Sequence, residues 1–185
     1  MKKKFWFLII VYILLMLADG LITYIKTPDL ALEGNPLVSV WGFGWEALFI
    51  VNLIVFVLIF WLAYYSFIKY ETIVAPVKNW KEYISQLFFK RPDKFSWIFY
   101  KSPKRWTPFW ACLGYVLIYS SIFNRIILVV EWLAYEKGIP FYDNIRAKAP
   151  YGRLDIILTL LLNLYLILRW FKLEYKKCNV NVTDT

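Results

Sequence analysis

The sequence predicts an all-α membrane protein of four transmembrane helices, with both termini cytoplasmic and an interfacial amphipathic segment between spans two and three. Three observations lead there. The 185 residues are 61% hydrophobic and 21% aromatic, with a mean hydropathy of +0.51, which lies in the membrane class. Four apolar runs, at about 5–26, 45–68, 108–134 and 153–171, are long enough to cross ~30 Å of hydrocarbon at ~1.5 Å per residue. A single soluble domain of this length has too little interior to hide all four. Finally, sixteen Lys and Arg residues fall before span one, in the connection 69–107 and from Arg169 to Lys177, against five on the other side. Cytoplasmic flanks carry that excess. One transmembrane domain, residues 1–185, at the cell membrane is the expectation, with a cytoplasmic connection 69–107 and a cytoplasmic tail 172–185.

Span one begins "MKKKFWFLIIVYILL", the charged start and apolar middle of a signal peptide. No small-x-small cleavage pattern follows and the apolar run continues to Ile25, so the segment reads as a retained span. The outer connection is short and rich in turn formers. Asp29 after Pro28 suits a capping role, Pro36 holds Asn35 away from helical geometry, and Trp41 and Trp45 mark the headgroup level before span two. In the long cytoplasmic connection, Trp80, Ile84, Leu87 and Phe88 recur at helical spacing between Val77 and Phe89, while Lys78, Lys81, Glu82 and Gln86 take the other face. This is the amphipathic segment, expected at the membrane surface. Pro108 then fits the first turn of span three.

The polar residues of the spans share one bias. Asp19 lies about two-thirds of the way across span one with Thr23 one turn later. Glu46 and Asn52 fall in the outer half of span two, and Asn124, Arg125 and Glu131 in the outer half of span three. Asp155, Thr159 and Asn163 follow at i, i+4 and i+8 down span four. A charge at the centre of a membrane helix costs ~2.5–3.5 kcal/mol on insertion scales, so such groups are paired, hydrated or turned toward protein. The expectation is a polar pocket open to the outer face and floored by apolar packing. Arg125 is the only basic residue well inside a span, and four acids, Asp19, Glu46, Glu131 and Asp155, reach its level.

An Asp-x-x-x-Thr in the first span followed by an acid-x-Asn-Pro turn and a second span, here Asp19, Thr23, Glu33, Asn35 and Pro36, resembles small bacterial and archaeal membrane proteins grouped as domains of unknown function. The resemblance covers roughly residues 17 to 53. It implies weight for that segment and supplies no mechanism.

Composition excludes several classes. The net charge of +9 comes from basic residues lying between apolar spans, which points to a bilayer with anionic headgroups and away from nucleic acid. Histidine is absent, removing the commonest general base and metal ligand. Cys112, in span three, and Cys178, in the tail, support neither a disulfide nor a zinc site. The reading that remains is an outward-facing site binding or moving a cation or a small polar or lipid-headgroup ligand. Its candidates are Asp19, Thr23, Glu33, Asn35, Glu46, Arg125, Glu131 and Asp155, with Pro36 as a structural turn; the metal and any cofactor are unspecified. One alternative is an accessory subunit that docks a membrane partner or a second copy of itself. The other is an intramembrane aspartyl hydrolase using Asp19 and Asp155, although "YGRLD" departs from the Gly-x-Gly-Asp pattern of that chemistry.

Overall fold

The computed structural model describes residues 2–30, 36–137 and 154–183. Its elements are helical: α1 (Lys2–Lys26), α2 (Pro36–Ser39), α3 (Trp45–Tyr64), α4 (Trp80–Phe89), a 3-10 turn (Phe95–Phe99), α5 (Thr107–Glu136) and α6 (Leu154–Thr183). Four of these helices, α1, α3, α5 and α6, are long and apolar enough to cross a membrane. The protein is therefore an all-α polytopic membrane bundle.

Three of the spans pack around the fourth, α5. α5 packs against α1, α3 and α6, whereas α1 touches α3 only lightly. Small residues bring α3 and α5 together. A Cβ added to Gly114 would lie 2.0 Å from the carbonyl oxygen of Leu62, and Ala63 and Ala111 beside it are fully buried. Without a hydrophobic force between helices in lipid, this backbone approach is where their packing energy comes from. α3 ends in a π-helical turn (Tyr65–Lys69), closed by the Tyr70 N–H donating to the Tyr65 carbonyl at 2.8 Å.

The connection after α3 folds onto the chain's last helix. Asn79 caps α4, its side chain accepting from the Glu82 N–H at 3.0 Å, while a Glu82 carboxylate oxygen accepts from the Lys78 N–H at 2.9 Å. This reciprocal cap starts the helix at Trp80, three residues later than periodicity alone places it. The segment is amphipathic as expected, but its apolar face is occupied by protein. Tyr83, Ile84, Leu87, Phe88 and Phe89 are buried, with Phe88 edge-on to Phe171 of α6.

The described part of the expected tail is helical. The apolar run of span four ends at about 171, and α6 continues as helix beyond it to Thr183. Trp170, Glu174 and Cys178, at i, i+4 and i+8, form a buried stripe against the strap 70–79. Thr72 Oγ1 donates to Glu174 at 2.8 Å, Lys177 pairs with the same carboxylate, and the Cys178 thiol both donates to and accepts from the Ala75 backbone at 3.4 Å. A helix whose polar groups find such partners has no reason to stop where its hydropathy falls.

The continuous core lies mainly at this basic end. It runs from Phe5, Leu8, Ile9 and Tyr12 of α1 through Ala63 and Phe67 to α4 and to Trp170 of α6. The opposite half of the bundle holds fewer large buried side chains, and there the polar residues gather.

Candidate functional site

Asp19 is 7% exposed, one turn before the equally buried Thr23 on the inward face of α1. Opposite it, the Arg125 guanidinium divides its donors between two other helices. One terminal nitrogen is ion-paired with Asp19 Oδ2 and the other donates to Asn52 Oδ1 on α3. Asn52 is oriented from behind, since its Nδ2 donates to the Leu48 carbonyl at 2.8 Å. A single arginine thus joins α1, α3 and α5, and the planar guanidinium suits such a divided contact better than a lysine ammonium would.

The preceding residue on α5 faces a different helix. Successive helical positions differ by about 100°, so Asn124 faces α6, where the Thr159 hydroxyl donates to its side-chain oxygen at 2.5 Å. A groove of about 300 Å³ lies along that seam, lined by Asn124, Thr159 and four aliphatic residues. Leu128, Ile156 and Leu160 on its rim are exposed, so it opens on the side of the bundle. One turn further along α6, the buried Asn163 Oδ1 has no hydrogen-bond partner among the described residues.

The sequence-predicted residues separate accordingly. Asp19 and Arg125 come together at the α1–α5 contact, and Thr23 is buried one turn on from Asp19. Glu46 is exposed on the first turn of α3 and Glu131 is half-buried further along α5, so Asp19 is the acid that meets Arg125. Pro36 opens the short helix α2, which ends at Gly42 in the left-handed region (φ 67°), with the Gly42 and Phe43 N–H groups donating back to Val38 and Leu37 at 2.9 Å. That geometry is the glycine-terminated helix end in which a Cβ would be strained. Glu33 and Asn35 lie outside the described residues, as does the side chain of Asp155 at the start of α6. Among the described residues no cluster of three metal-ligating side chains occurs.

Residues outside the predicted set matter, among them Asn52, Asn124 and the Thr159 that pairs with Asn124. Asn52 completes the arginine clamp, and Asn124 forms the polar floor of the groove. Both were visible as lone amides inside apolar runs; what was missing was the rotation of each helix. Trp45, expected at the headgroup level, makes a specific contact: its indole N–H donates to the Pro28 carbonyl at 2.7 Å and its ring meets Tyr24 edge-on. That contact ties the ends of α1 and α3 above the clamp.

Comparison with protein-family models, curated proteins and solved structures returned no match to this chain.

Proposed function

We propose that this polytopic membrane protein binds a small polar molecule, or the polar part of a lipid, in the groove between α5 and α6, with the Asp19–Arg125–Asn52 clamp as the rigid frame behind it. The observation that carries this reading is the groove itself, an opening on the side of the bundle whose floor holds the Asn124–Thr159 pair, with the Asn163 oxygen, unpartnered among the described residues, one turn away. Binding sites combine apolar walls with a few polar groups that fix orientation. By the positive-inside rule the groove belongs to the outer half of the membrane.

The clamp bears on what the ligand is. An Asp19 carboxylate already neutralised by Arg125 offers little to a bare cation, so a neutral or zwitterionic ligand fits better than the metal or alkali ion the acid count suggested. The same pairing weighs against a proton-sharing aspartate dyad, which needs two carboxyl groups competing for one proton. The Asp-x-x-x-Thr signature of the first span would, on this view, mark the frame of the site.

Thermal unfolding of the purified chain in detergent, across a panel of lipids, zwitterionic solutes and cations, tests the reading. A stabilising compound whose effect disappears in Thr159→Val, with the unliganded midpoint changed little, supports it. Equal stabilisation of wild type and Thr159→Val by every compound would refute it.

A second reading, a subunit of a larger membrane assembly, draws on α6. Within the bundle α6 packs on α5, and it is the least buried of the four spans. Co-purification of a stoichiometric membrane partner that protects this face from cysteine-scanning labels would favour that reading.

A further inference from the structure

A second recess lies at the basic end, outside the polar site. Phe88 of α4, Phe109, Cys112 and Val116 of α5, and Ile167 and Phe171 of α6 enclose about 190 Å³. The lining carries no polar side chain other than the Cys112 thiol. Phe88, Cys112 and Val116 are buried at its base, whereas Phe109 and Ile167 are exposed at its lips, so the recess is a slot opening on the side of the bundle.

Its mouth is basic. The Phe88 carbonyl accepts from the backbone N–H groups of both Lys104 and Arg105, at 2.9 and 3.1 Å, which fixes two cationic residues beside a lining residue. On the facing helix, Lys172 follows Phe171 and is exposed. The Thr107 start of α5 puts Lys104 and Arg105 at the entry of that helix into the membrane, while Val116 lies nine residues deeper.

We infer that the slot holds one acyl chain of an anionic phospholipid from the surrounding leaflet, with the lipid phosphate at Lys104 and Arg105. Depth selects an acyl chain over a peptide. A segment of protein entering the hydrocarbon sideways would bring backbone N–H and C=O groups that the slot has nothing to satisfy, and a hydrocarbon chain brings none. Charge selects the headgroup. Lipid tails are as apolar as the slot, so chain entry gains packing alone, and discrimination between lipids comes from the cationic mouth.

Native mass spectrometry of the full chain, released from detergent containing equimolar phosphatidylglycerol and phosphatidylcholine of identical chains, reads the preference. The expected result is one retained phosphatidylglycerol per chain, roughly fivefold or more over phosphatidylcholine, the excess expected of a few interfacial basic residues. The double variant Lys104→Gln/Arg105→Gln should bring the ratio close to one, and Ile167→Trp, which narrows the exposed lip, should lower retention of both lipids. Should Ile167→Trp not fold, maleimide labelling of Cys112 in the wild-type chain, mapped by peptide, gives the same information: phosphatidylglycerol should slow it and inorganic phosphate should not. Equal retention of the two lipids would overturn the assignment, as would a preference untouched by the double variant. Protection of Cys112 by phosphate alone would also overturn it, since an anion would then bind without a chain.

Discussion

Arg125 shows why an arginine deep in a membrane span is tolerated. Its charge is met by Asp19, and its second nitrogen by an Asn52 amide that is itself held by the helix backbone. Removing one partner of a buried pair leaves an uncompensated charge, at a cost of ~3–5 kcal/mol, whereas replacing both by apolar residues is often close to neutral. Asp19→Leu should therefore unfold far more readily than wild type, and Asp19→Leu/Arg125→Met should recover most of the loss in a detergent unfolding titration. Two tyrosines at the basic end make a second contrast. The Tyr83 hydroxyl donates to the Ile73 carbonyl at 3.1 Å, but the buried Tyr70 hydroxyl has no partner among the described residues. Tyr83→Phe should cost ~1 kcal/mol and Tyr70→Phe close to nothing. Burial, reinforced by neighbouring groups including Glu174, raises both phenols above their usual range. A raised acid contributes stability that is intact below its unfolded value near 10 and falls away as pH rises past it. The folded protein should accordingly lose stability above about pH 10, and Tyr70→Phe/Tyr83→Phe should flatten that alkaline limb in unfolding curves recorded at successive pH values.

Among the elements, the α3–α5 crossing and the α6 extension are set by different physics. At the crossing the controlling quantity is distance. A methyl group on Gly114 would meet the Leu62 carbonyl at 2.0 Å, and the atom in the way is backbone, which cannot swing aside. Gly114→Ala should force the helices apart and cost ~1–3 kcal/mol or more, read as a lowered unfolding midpoint, with Gly44→Ala, where a Cβ meets open space, as the mild control. In the α6 extension the controlling quantity is satisfaction of polar groups. Glu174 is 2% exposed, and it is acceptable there because Thr72 and Lys177 both reach it. The strap and the helix extension stabilise each other, since neither would bury polar groups without the other's donors and acceptors.

Over the whole molecule, packing is unequal between the two ends. The basic end holds a continuous aromatic and aliphatic core, sealed by α4, the strap and the α6 extension. The other end has a three-helix clamp, a side groove and the short turn helix α2. Local stability follows buried contacts, so amide hydrogen exchange in detergent should be slowest in α4 and the 170–178 turns of α6 and faster at the 156–163 turns of the same helix. Uniform protection along α6 would contradict that division. The gradient also suits a binding role, because a site that admits a ligand from the bilayer needs a loosely packed region carried on a firm one.

How much of this was written in the sequence depends on the range of the interaction. The four spans follow from hydropathy summed along the chain, and the placement of Asp19, Asn52, Arg125 and Thr159 in one half of the bundle follows from counting residues along helices of fixed rise. The amphipathic segment was legible for the same reason, since its period is local. Which of four acids would meet Arg125 was not legible, because the answer depends on how each helix is rotated about its axis, and that is set by packing partners far apart in sequence. The roles of Asn52 and Asn124, adjacent layers served from different faces of α5, emerge only once α5 stands between its three neighbours. The reach of α6 past residue 171 was hidden likewise: its Trp170, Glu174 and Cys178 stripe is plain in the sequence, but a buried glutamate becomes a helix-former's asset only when a threonine 102 positions away supplies its hydrogen bond. The sequence by itself determined the membrane class, the number of spans and the side on which polar groups gather, since those are sums over neighbouring residues. The tertiary structure alone decided the pairings, because a hydrogen bond needs direction and distance that no linear spacing specifies.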